Sequence, residues 1–125
     1  MNNKNSNGLK GLGPLGWLLQ VITGVFLIFF LGIHLYLANI DFGHPIRFFT
    51  AVLENLHNGY WLAFYIVFTY IVLYHGLNGV RGILYDRFDS QKSRALIKYS
   101  LSVLYVVTAI YGTLLALAVS RIAIP

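Results

Sequence analysis

Two histidines, His34 in the run FFLGIHLYL and His75 in YIVLYHGLNGVRGILYDR, lie in long apolar stretches. An imidazole left unpaired in such surroundings is costly, so each needs a partner. One solution is a neutral ring hydrogen-bonded across a helix interface; the other is ligation of a metal. The chain contains no cysteine, which excludes disulfides, a Cys nucleophile, Cys-ligated zinc and an Fe–S cluster held by this chain alone. No carboxylate stands beside the two histidines to complete another metal site. Two imidazoles on separate segments, each in aromatic and glycine-rich sequence, fit the axial ligands of haem better than those of any other metal.

Spacing around His75 points the same way. At about 100° per residue on a helix, His75, Gly79, Gly82 and Asp86 share one stripe, with Asn78 beside them. The glycines either leave room for a flat macrocycle or let a second helix approach closely. Arg81, near the end of the same run, suits a haem propionate or a lipid headgroup. Gln20 is the other polar residue inside an apolar stretch. His44 and His57 fall in a connecting segment and read as solvated.

The elements that must position these residues follow from charge distribution. Of 125 residues, 58% are hydrophobic and 10% charged, against roughly a quarter charged in an ordinary soluble domain. The charges are clustered: 30 residues separate Lys10 from Asp41, 26 separate Glu54 from Arg81 and 22 separate Lys98 from Arg121, with no Asp, Glu, Lys or Arg in any gap. Each gap exceeds the ~20 apolar residues that cross a bilayer. The expectation is an all-α integral membrane anchor: a polar tail over 1–14, then one domain over 15–125 with transmembrane helices at about 15–39, 60–85 and 94–121. Gly43 and Pro45 break the first connection, and Phe48 to Leu53 should lie along the interface. The first apolar run is too long for a cleavable signal peptide.

This layout leaves no soluble domain for a substrate pocket, and the absence of intramembrane acids argues against an ion-coupled transporter. The net charge of +5 flanks apolar spans rather than forming a basic patch, which excludes a nucleic-acid partner. Lys4, Lys10, Arg81, Arg87, Lys92, Arg94 and Lys98 fall on one side, and only Arg47 and Arg121 on the other. By the positive-inside rule the N-terminus is cytoplasmic, in the cell's inner (cytoplasmic) membrane, with Trp17, Tyr60, Trp61, Tyr85 and Tyr99 as interfacial aromatics. Counting 17 positions from Trp17 to His34 and 10 from His75 to Tyr85 puts the histidines roughly 25 and 15 Å from the cytoplasmic face. A gap of about 10 Å is too large for opposite ligands of one iron. The spacing therefore predicts two haems, each completed by a histidine of another subunit.

The run HGLNGVRGILYDR resembles the second helix of the cytochrome b membrane anchors of succinate dehydrogenase and fumarate reductase. The first helix, with Trp17, Gln20, Thr23-Gly24 and His34, is similar to the same family. The resemblance implies a second membrane anchor subunit, an iron–sulfur subunit and a flavoprotein subunit as partners. Electrons would then pass between succinate or fumarate, the Fe–S clusters and a membrane quinone (menaquinone or ubiquinone). It implies haem b ligation by His75 and His34, with Arg81 at a propionate and Gly79, Asn78 and Gly24 packing against the group. Trp17, Gln20, Thr23 and Asp86 become candidates for the quinone site, with Asp86 equally a contact for the iron–sulfur subunit. Where the family often has an arginine, this chain has Val21, and no tyrosine follows Asp86. The alternatives are a haem-free structural anchor and a diheme cytochrome b of another quinone-linked dehydrogenase.

Overall fold

The computed structural model describes residues 12–39 and 48–124. The tail before residue 12, Asp41, His44 and Arg47 lie outside the described residues. Among the described residues four helices form: α1 (Gly13–Asn39), α2 (Phe49–His57), α3 (Gly59–Arg87) and α4 (Gln91–Val119). Three of them are long and apolar enough to cross a membrane. The 27 residues of α1 and the 29 each of α3 and α4 rise about 40 Å or more, which exceeds the ~30 Å hydrocarbon core.

The ends are set by local chemistry. α1 begins at Gly13, whose φ of +77° is a left-handed conformation that a side chain would strain, and Pro14 follows in the first turn, where its missing N–H costs nothing. Asn58 caps α3, its side-chain oxygen accepting from the Tyr60 N–H at 2.9 Å. Ser90 caps α4 by accepting from the Ser93 N–H at 3.1 Å. Only Phe88 to Ser90 join α3 to α4, a length that forces antiparallel neighbours. Arg94 closes this hairpin: it lies over the Tyr85 ring at 5.1 Å, donates to the Tyr85 carbonyl at 3.3 Å and pairs with Asp89 at 3.3 Å.

The spans form a layer with α3 in the middle. It packs against α1 on one side and α4 on the other, while the backbones of α1 and α4 make no close approach among the described residues. Between α1 and α3, Phe30 stacks on Phe64 and Phe68 with centroids 5.0 and 6.0 Å apart. Between α3 and α4, Tyr105 meets Tyr70 and Tyr74 edge-on, and the hydroxyls of Thr113 and Tyr70 are hydrogen-bonded at 3.2 Å.

The segment expected along the interface is more than an apolar strip. It is the helix α2, which packs on both α3 and α4 and buries Ala51, Leu53 and Leu56. It supplies three of the five buried hydrophobic residues among the described residues, the others being Leu37 and Ala109. Many of the other large apolar side chains, Ile28, Phe29, Ile83 and Leu114 among them, face outward, as they do in a layer whose solvent is lipid or another subunit.

Candidate functional site

Facing sides of α1 and α3 carry a continuous chain of polar groups inside the spans. Arg81 Nη2 donates to Asn78 Oδ1. The Asn78 amide donates to Gln20 Oε1 at 2.8 Å and to the Gly16 carbonyl at 3.2 Å. The Gln20 amide donates in turn to the His75 carbonyl at 3.2 Å and lies 3.4 Å from His75 Nε2. Thr23 Oγ1 stands 3.1 Å from His75 Nδ1. Asn78 is the one fully buried polar side chain among the described residues, 5% exposed, and it is satisfied on both its oxygen and its nitrogen, as a buried amide must be.

The two helices reach each other through glycines. A Cβ on Gly24 would sit 3.2 Å from His75 Cε1, one on Gly79 would sit 3.2 Å from Gln20 Nε2, and one on Gly16 would sit 3.2 Å from Arg81 Nη2. The space over these glycines is therefore filled from within the chain, by His75, Gln20 and Arg81. Of the two uses of glycine open at the level of sequence, close helix approach is the one seen between α1 and α3.

Hydrogen-bond direction fixes the state of the His75 ring. Thr23 has a single hydroxyl proton and gives it to the main chain, with the Leu19 carbonyl at 2.7 Å and that of Gln20 at 3.2 Å. Its oxygen is left to accept from Nδ1–H, so the network assigns the proton to Nδ1 and the free lone pair to Nε2. A ring held at one nitrogen by such a partner is oriented to ligate through the other. The competing contact at Nε2 is the long one, 3.4 Å from an amide nitrogen that already has a better acceptor. The donor set at His75 thus fits haem iron once Gln20 yields.

His34 sits at another level. Thr23, beside His75, and His34 are 11 positions apart on α1, about 16 Å along the axis. The His34 ring meets Tyr65 edge-on at 6.0 Å and Phe68 at 5.6 Å. Its Nδ1 is buried with no hydrogen-bond partner, and so is the Tyr65 hydroxyl. Both residues, with Thr69, line a pocket of about 500 Å3 whose other walls come from α2 and from Gly112 to Val119 of α4. A buried imidazole with an unused nitrogen beside an apolar pocket fits a ligand-bearing histidine.

The quinone-site candidates separate. Gln20 and Thr23 are held against His75, whereas Trp17 is 47% exposed and Asp86 is exposed with no ion pair among the described residues. The structure does not bring these two to the others. His57 is exposed and engages only the Leu53 carbonyl, one turn back in α2. No group of three or more His, Cys, Asp or Glu side chains gathers among the described residues. Sequence reasoning missed Gly16, Tyr65 and Thr69. Gly16 carried a signal, since Gly16, Gln20, Thr23 and Gly24 repeat at the spacing of one helix face.

Residues 3–115 match the family described as succinate dehydrogenase/fumarate reductase transmembrane subunit. A succinate dehydrogenase hydrophobic membrane anchor subunit of Thermoplasma acidophilum is 52% identical over 113 residues, covering 90% of this chain and 92% of that one. A protein of the same description from Archaeoglobus fulgidus is 26% identical over 108 residues, covering 86% and 92%. No solved structure matches.

Proposed function

Because the chain belongs to the succinate dehydrogenase/fumarate reductase transmembrane subunit family, we propose that it is the membrane anchor of a succinate:quinone oxidoreductase that holds haem b through His75 and His34. The dicarboxylate chemistry then belongs to other subunits, and this chain has a positioning role. The partners are a second anchor subunit supplying the opposing histidines, and iron–sulfur and flavoprotein subunits docked on the cytoplasmic face of the membrane. The observation that carries the haem assignment is the Thr23-held tautomer of His75, which presents Nε2 as a base inside an apolar span.

Each part of the polar chain has a task in this reading. Thr23 orients the ring. Gln20 guards Nε2 and, with Thr23, is the part of the quinone-site set that stands next to the ligand. Asn78 links Gln20 to Arg81, whose guanidinium has donors left for a propionate. When bound, haem b supplies one-electron transfer between the iron–sulfur clusters and quinone. The separation of about 16 Å between the levels of His75 and His34 supports two haems rather than one.

The 3.4 Å contact at His75 Nε2 favours one rival, an anchor that carries no haem and uses His75 only to tie α1 to α3. Reduced-minus-oxidised spectra and a pyridine haemochrome count on the intact complex decide between them. Two haems per complex are expected, with His75→Ala and His34→Ala each removing one. An unchanged spectrum in both variants would establish the scaffold, and a complex lacking a flavoprotein subunit would point to a different quinone-linked dehydrogenase.

A further inference from the structure

On the α4 side of α3 a second pocket of about 230 Å3 opens between the two helices, with Asn78 and Arg81, the outer end of the polar chain from His75, at its edge. Arg81 and Lys98 both line it, with Ser102 beside them. Neither cation has a carboxylate partner among the described residues. Arg81 also keeps a buried Nε without an acceptor. Even with a propionate on one edge of the Arg81 guanidinium, its Nε and the whole of the Lys98 ammonium are left without an anion, and they mark a place where a second anion from outside the chain belongs.

The order of residues along the helices says what kind of anion. Arg81 lies six positions before the end of α3 and Lys98 seven after the start of α4, about 10 Å inside the helix ends, within reach of long side chains that extend toward the interface. The pocket continues inward from this charged level along Leu77 and Tyr74 of α3 and Leu101 and Tyr105 of α4. Cations at the outer end and an apolar wall running toward the membrane centre match an amphiphile standing in the bilayer. We propose that this cleft binds an anionic phospholipid, with its phosphate on Arg81, Lys98 and Ser102 and an acyl chain along Leu101 and Tyr105. A free phosphate would use only the outer part of the site, and a protein carboxylate would leave the inner wall uncovered.

The test uses the intact complex reconstituted in nanodiscs of mixed phosphatidylglycerol and phosphatidylcholine, with retained lipid counted by native mass spectrometry after detergent exchange. Wild type should retain phosphatidylglycerol in preference to phosphatidylcholine. Lys98→Ala should lower that retention about fivefold, while Lys92→Ala, at the exposed start of α4, leaves it unchanged. Subunit stoichiometry in the same spectra reports assembly independently of lipid and of haem. Equal retention of both lipids, or equal losses in the two lysine variants, would overturn the proposal. Displacement by inorganic phosphate would reassign the site to free phosphate. Loss of haem from Lys98→Ala with lipid unchanged would assign the pocket to a propionate instead.

Discussion

Thr23 has one proton to give, and the main chain takes it at 2.7 Å, so the tautomer of His75 rests on a single acceptor oxygen. Replacing Thr23 with valine keeps the volume but removes that oxygen, leaving Nδ1–H without its partner in an apolar span. Loss of such an orienting group typically weakens ligation at the other nitrogen by about 10- to 100-fold. Thr23→Val should therefore lose haem on detergent washing under conditions in which wild type and Thr23→Ser keep it, as read by the pyridine haemochrome assay. Equal haem retention in all three would mean that Thr23 does not govern the ring. His34 and His75 were legible as the informative residues because imidazole is rare in a charge-free span. Thr23 was visible only through its place before Gly24, since a hydroxyl in a helix usually bonds its own preceding turn. Nothing in the sequence tells that the same oxygen also receives a proton from another helix.

Helix α1 meets α3 through Gly16, Gly24 and Gly79, and the cost of a methyl group differs sharply along it. At Gly24 the added Cβ would press on His75 Cε1 at 3.2 Å, whereas at Gly32 it would meet nothing within 4 Å. The histidine ring cannot yield freely, because Thr23 holds it and its own main-chain carbonyl is tied to Gln20. Gly24→Ala should cost about 1–3 kcal/mol, the usual range for overpacking, while Gly32→Ala stays within about 0.5 kcal/mol. Thermal inactivation midpoints of the detergent-solubilised complex compare the two, and equal midpoints would remove close approach as the role of Gly24. The three long helices were legible because charge-free runs of more than 20 residues admit few other structures in a membrane. Helix α2 was not, since Gly43 and Pro45 mark a loop and nine residues are too few for a clear period. Its stability comes from burying Leu53 and Leu56 against α3 and α4, a tertiary effect that no local propensity records.

Across the whole molecule, three spans put the two chain ends on opposite sides of the membrane, and the distribution of basic residues chooses which. Five of the basic residues lie between Arg81 and Lys98, around the α3–α4 hairpin, and two more lie in the tail before α1; only Arg47 and Arg121 belong to the opposite side. Lys and Arg near the ends of spans resist translocation, so the hairpin should remain in the cytoplasm with the N-terminus. That is also the end where Arg81 closes the polar chain from His75, so in this orientation the His75 level would lie nearer the face on which the proposed function docks the soluble subunits, and the His34 pocket nearer the far side. Alkaline phosphatase, active only after export, reports this directly. Fused after Pro125 it should be active, and inserted between Phe88 and Ser90 it should be inactive. Under the proposed function, the reverse pattern would invert the order in which electrons from the iron–sulfur subunit meet the two histidines. It would make His34, with its unpartnered nitrogen, the ligand nearest the clusters.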